Sequence, residues 1–154
     1  MTGRILGLDP GERRIGVALS DPLGMIASPH SVIDQRVQDV ATELRRLVDE
    51  EEVTRIVIGL PVSLDGRERV AAQRAREFGT VVAAATGIEP VFADERFTSN
   101  VAERALLEGN VSRADRRVAR DKVAAAVMLQ SYLDGPYARE RMAEQTEGEP
   151  SDDS

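Results

Sequence analysis

Three carboxylates stand where an acid can do chemistry. Asp9 closes the short β-rich run 4–9 and precedes Pro10-Gly11; Glu95 lies two residues past another such run, beside Asp94. Asp121 is the most informative of the three. It falls in a helical pattern on the same face as Ala124, Ala125, Met128 and Tyr132, at i+3, i+4, i+7 and i+11. That face is apolar, so an acid in it must be exposed in a first turn, pair with a base or bind a cation, because unpaired burial is costly. Each acid also has an ordinary explanation: a turn former at Asp9, an ion pair with Arg96 or Arg120 at Glu95, a dipole-favouring first-turn acid at Asp121. Together, at strand ends and with no Cys in the chain and a single His, His30, they make a set of hard oxygen ligands. Such a set suits Mg²⁺ or Mn²⁺ rather than zinc. Two such ions roughly 4 Å apart can activate a water and stabilise the leaving oxygen in phosphodiester hydrolysis.

The cations around these acids fit a polyanion. Arg13 and Arg14 lie in the turn after Asp9, and Arg113, Arg116, Arg117, Arg120 and Lys122 crowd the stretch leading to and around Asp121. Contacts of this type position a nucleic acid without reading its sequence. Arg96 and Thr98, beside Glu95, are assigned with Arg13, Arg14, Arg117, Arg120 and Lys122 to phosphate contact, although Thr98 and Ser99 also read as helix N-cap hydroxyls. A solvated basic helix start is the plainer alternative, and it opposes the helix dipole. His30 sits in a strand-like run and reads as structural.

The elements that must position these residues follow from periodicity. Runs 4–9 and 14–20, joined by Pro10–Arg13, form an antiparallel hairpin, and a third extended run spans 25–33. An amphipathic helix covers 38–51, its acidic end 49–52 read as a solvated terminus, and the apolar strand 55–59 follows. A helix over 67–86 comes next, with Asp65 and Glu68 at capping-box spacing, then a strand over 90–93. Helices over 99–108 and 117–133 complete the order, the last stopped by Gly135-Pro136. The order βββ-α-β-α-β-α-α implies an α/β fold: a mixed five-stranded sheet, its first three strands antiparallel, with helices on both faces. A dinucleotide-binding fold would open with βαβ instead.

Charge at first argues against a nucleic-acid partner. The 154 residues hold 20 Lys+Arg against 27 Asp+Glu, a net charge of −7. Residues 134–154 carry seven acids against two arginines, a balance of −5, which leaves only −2 on 1–133. Residues 1–135 are therefore expected to form one domain, and 136–154 an acidic, disordered tail. No stretch reaches the roughly 18 apolar residues of a membrane span, and no basic-then-apolar leader is present. A cytoplasmic protein with no membrane association, monomeric or homodimeric, is expected.

Four motifs carry a family resemblance: Gly7-Leu8-Asp9-Pro10-Gly11 running to Arg14-Ile15-Gly16-Val17-Ala18; 56–61 (IVIGLP) with Asp65-Gly66; Asp94-Glu95-Arg96-Phe97-Thr98; and Asp121 followed by Ala124-Ala125. In this order and spacing, over about 3–135, the chain resembles the YqgF/RuvX family, Holliday-junction resolvase-like proteins also described as pre-16S ribosomal RNA nucleases. The resemblance implies an RNase H-like fold and places the family's acidic trio on Asp9, Glu95 and Asp121. It further implies divalent-metal-dependent nuclease activity and a role in ribosome biogenesis, maturing the 5′ end of the ribosomal RNA precursor, with assembly intermediates as further partners. Related junction resolvases carry a fourth acid one helical turn from the last; position 118 is Val here. That departure weighs against a Holliday junction resolvase acting on DNA. A non-catalytic RNA-binding ribosome assembly factor is the other alternative. An ATP-binding fold of the actin/sugar-kinase type shares the Asp-x-Gly hairpin, but needs a second domain for which this length leaves no room.

Overall fold

The computed structural model describes residues 3–60, 66–94 and 113–148. Its strands are β1 (Arg4–Pro10), β2 (Arg14–Ser20), β3 (Ala27–Asp34), β4 (Val53–Leu60) and β5 (Val91–Asp94), in the order β3-β2-β1-β4-β5. β1–β2 and β2–β3 pair antiparallel, whereas β1–β4 and β4–β5 pair parallel. The expected mixed sheet, antiparallel first and parallel after, is the observed one. The expected helix 99–108 and the capping box at Asp65 and Glu68 lie outside the described residues or side chains.

Strand alternation builds two cores. Leu6, Leu8, Ile15, Val17, Leu19, Ile56 and Ile58 face helices α1 (Val40–Glu50) and α2 (Gly66–Thr86), meeting Leu44, Leu47, Ala75 and Val82. Ile5, Ala18 and Val57 face α3 (Arg113–Tyr132), meeting Ala125, Met128, Leu129 and Tyr132. Because both faces of β1 and β4 are covered, their central residues read as unbroken apolar runs rather than alternating ones. α1 starts where Asp39 accepts hydrogen bonds from the Thr42 backbone and hydroxyl. It ends at Glu51, and Glu52 turns the chain into β4 with φ at 52°. Its acidic end is more than a solvated terminus: Glu51 lies 3.8 Å from Arg4 Nη1 and 3.5 Å from His30 Nε2.

The expected end of the chain needs correction. α3 begins four residues earlier than its periodicity suggests, taking Arg113 and Arg116 out of a loop and into the helix. At its other end Gly135-Pro136 does not stop it. Leu133–Tyr137 forms a π-helical turn and α4 (Ala138–Gly148) continues, so residues 136–148 are helical rather than a disordered tail. A proline inside an α-helix clashes with the carbonyl four residues before it; a widened π turn relieves that clash. Tertiary contacts then hold the extension. Arg55 donates to Glu140 Oε2 and Oε1 at 2.6 and 2.8 Å and to the Tyr132 hydroxyl at 2.9 Å. The Tyr137 ring takes the Arg55 and Arg141 guanidinium carbons at 5.3 and 5.2 Å from its centroid. A Cβ on Gly24, whose φ is +68°, would sit 2.7 Å from the same ring, so the β2–β3 turn must have glycine there.

The Arg55 guanidinium holds the Glu140 carboxyl below its ordinary value of 4.5, its hydrogen bond outweighing partial burial. A depressed folded pKa gives stability that is present above the unfolded value and lost as pH falls through the folded one. Glu140→Gln is therefore expected to cost up to about 1 kcal/mol at pH 7, the scale of a solvent-screened pair. That difference from wild type should shrink toward zero in urea denaturation below about pH 4. An equal cost at both pH values would assign the loss to packing.

Candidate nucleic-acid interface

The chemistry-bearing residues gather at the C-terminal end of β1. Asp9 follows Ile5 and Gly7 in alternation, so it lies on the α3 side of the sheet. Across the hairpin its register partner is Gly16. Gly16 in turn sits beneath α3: a Cβ there would lie 2.0 Å from the Asp121 carbonyl oxygen and 3.4 Å from the Ala125 methyl. One glycine thus places the backbone of Asp121 against the residue opposite Asp9. Gly7 serves the same seam farther along, where a Cβ would lie 2.9 Å from Leu129 Cβ. Ala18, Ala125 and Ala126 complete a small-residue track that lets helix and sheet approach closely.

Arg14, also on this face, donates from Nε to Asp121 Oδ2 at 2.7 Å. Their side chains are 26% and 28% exposed, a half-buried ion pair. Of the three fates open to an acid on an apolar helix face, Asp121 adopts pairing with a base. The first-turn explanation fails, because α3 starts at Arg113 and puts Asp121 in its third turn. Val118, one turn earlier, is 41% exposed and stands where a fourth acid would be needed.

The remaining expected contacts divide into three groups. Arg116, Arg117 and Arg120 are exposed on α3 and Lys122 is half-buried, so cations flank Asp121 along the helix. Arg13 is exposed in the hairpin turn, where its carbonyl accepts from the Gln35 backbone at 3.0 Å. Glu95, Arg96 and Thr98 lie outside the described residues; Glu95 is the residue after Asp94, the end of β5, which pairs with Leu60 of β4. Asp9, Arg14 and Asp121 are the expected site residues that the described structure brings together. His30 is remote from them, bonded through Nδ1 to Ser31 Oγ at 2.8 Å. Sequence reasoning missed the Arg14–Asp121 pair and the packing role of Gly16; the alternation Gly7, Gly16 and Ala18 opposite an alanine-rich helix was the available signal.

Among the described residues no three His, Cys, Asp or Glu side chains converge on one point. Asp9 and Asp121 nonetheless offer only hard oxygen donors, and Asp121 already holds a cationic partner. Those features fit a divalent ion such as magnesium.

A mixed sheet of this order, with an acid at the end of its first strand and another on the helix that crosses it, defines an RNase H-like fold. In keeping with this, the structure matches RuvC of T. thermophilus in complex with Holliday junction substrate with a TM-score of 0.55, over 90% of this chain and 96% of that one at 15% identity. The sequence is closer to other proteins. It is 40% identical over 132 residues to a protein of Dictyoglomus thermophilum, covering 85% of this chain and 95% of that protein. It is 44% identical over 132 residues to one of Clostridium botulinum, covering 85% and 96%. Both carry the name "Putative pre-16S rRNA nuclease". The family model of RuvX, described as Holliday junction resolvase, matches residues 3–135, and the chain belongs to that family.

The seam makes a graded prediction. Gly16→Ala drives a methyl into backbone and should cost about 3 kcal/mol, the upper end of over-packing. Gly7→Ala meets Leu129 Cβ at 2.9 Å, a milder approach than the 2.0 Å to backbone at Gly16 and one that a small shift of α3 relieves, and should cost less. Urea denaturation of both variants checks the order; a neutral Gly16→Ala would mean that α3 does not rest on Gly16.

Proposed function

We propose that the chain is a divalent-metal-dependent nuclease that hydrolyses phosphodiester bonds in structured RNA, processing the 5′ end of the 16S ribosomal RNA precursor. The observation that carries this reading is the register of Asp9 opposite Gly16, on which the Asp121 backbone rests, at the end of β1 in an RNase H-like sheet. The names of its relatives support the choice of RNA. Asp9, Glu95 and Asp121 would hold Mg²⁺ or Mn²⁺, with two ions the natural number for such a reaction. When bound, the ions supply the positive charge that lowers the pKa of a water and stabilises the leaving oxygen.

The protein's own groups do the rest. Asp9 and Asp121, fixed on strand and helix, present their carboxylates from rigid elements. Arg117, Arg120 and Lys122 on α3, with Arg13 in the hairpin turn and Arg96 and Thr98 beside Glu95, hold the phosphate backbone without selecting bases. Since those cations must act against a net charge of −7, binding is salt-sensitive and modest. Val118 in place of a fourth acid favours this nuclease reading over junction resolution. No described helix is long and apolar enough to cross a membrane; the cytoplasm, with ribosomal assembly intermediates as partners, is the setting that the reading implies.

Asp9→Asn keeps the shape and removes the charge. Cleavage of a pre-16S leader RNA should fall at least about 100-fold, beyond the 10–100-fold typical of groups that only support a metal ligand. Circular dichroism and thermal midpoint should stay near wild type. Undiminished cleavage by the variant would locate the activity elsewhere. Wild-type protein that binds the leader without metal and fails to cleave it whichever divalent metal is added would instead favour the assembly-factor reading.

A further inference from the structure

We propose that Arg14 is the resident counter-ion of Asp121, a positioning residue that competes with the divalent ion for this carboxylate and links metal loading to RNA binding. The inference rests on the nuclease reading of the site and names a control built into it. Arg14 and Asp121 are 107 residues apart in sequence, yet the guanidinium Nε donates to Oδ2 at 2.7 Å. That bond holds the Arg14 side chain against α3. Its backbone is anchored independently: the Arg14 carbonyl accepts from the Gly11 amide at 2.9 Å, closing the hairpin that carries Asp9 on its other strand. The side chain can therefore leave Asp121 without disturbing the strand.

Electrostatics gives the pair its consequence. Asp121 sits on an otherwise apolar helix face, where a lone carboxylate is unfavourable. Arg14 supplies the positive charge that pairs with it and holds it in place while no metal is bound. A dication attracts the same oxygens more strongly, and its arrival displaces a guanidinium that is built to donate to phosphate oxygens. With an RNA phosphate present, the displaced Arg14 has a new acceptor, so losing Asp121 costs it less. RNA should then raise metal affinity, and by reciprocity metal should raise RNA affinity by the same factor.

Isothermal titration of Mn²⁺ into metal-free protein tests this without any turnover. Arg14→Gln should bind Mn²⁺ on the order of fivefold more tightly than wild type, the release of a part-exposed ion pair. Arg14→Lys, which keeps a charge but not the Nε donor, should fall between them. In wild type, the ¹⁵N-edited Nε–H signal lost in Arg14→Lys should shift on titration with Mg²⁺, and should stay fixed in Asp121→Asn; this arm needs no stable Gln variant. If Arg14 merely buttressed Asp121, folded Arg14→Gln would bind Mn²⁺ equally or more weakly and the Nε–H signal would not respond, and either result overturns the proposal. The site reading fails separately and visibly: Asp121→Asn would then bind Mn²⁺ as wild type does, and the competition would fall with it.

Discussion

The structure depends on how closely α3 can lie on the first hairpin. At Gly16 the helix backbone comes so near the strand that no side chain fits, and the atom it presents is the carbonyl of Asp121. That approach fixes the axial and rotational position of the helix. With it come the burial of Ala125, Met128 and Leu129, the distance between Asp9 and Asp121, and the pairing of Asp121 with Arg14. Close packing of small residues thus places polar groups that have no strong geometric preference of their own.

At the opposite pole a different interaction secures the same helix. Gln130 reaches from α3 to β3, accepting from the Ala27 amide at 2.8 Å and donating to the Met25 carbonyl at 3.0 Å. Beyond it, the π turn and α4 continue the helix so that Tyr137 rests over Gly24 between two arginines. Ser20, buried at the end of β2, accepts from the Ile5 amide at 2.8 Å and donates to the Asp21 carbonyl, holding the start of β1 in place. At the site end the described residues carry the Arg14–Asp121 ion pair.

Much of this was legible from local pattern. The hairpin, the buried strand 55–59 and the apolar face bearing Asp121 follow from periods of two and 3.6, which report burial directly. Asp9 and Asp121 stood out as candidates because a strand end and an acid on an apolar face are local features too; Glu95 lies outside the described residues. The rest was set by tertiary contact. Arg14 reads as a phosphate contact because nothing nearby in sequence reveals an aspartate 107 residues on. Gly16 reads as one more strand glycine until the helix above it is seen. Pro136 reads as a stop because a proline inside a helix is normally one, and its tolerance depends on Arg55, 81 residues earlier in the chain, gripping Tyr137 and Glu140.

The central claim is that this seam brings two carboxylates from distant parts of the chain to one divalent-cation site. The most direct measurement is an anomalous difference map from crystals soaked in Mn²⁺. A peak is expected within about 2.1 Å of carboxylate oxygens from both Asp9 and Asp121, with the Arg14 guanidinium moved off Oδ2. Manganese bound away from these residues, with Arg14 still on Asp121, would contradict it.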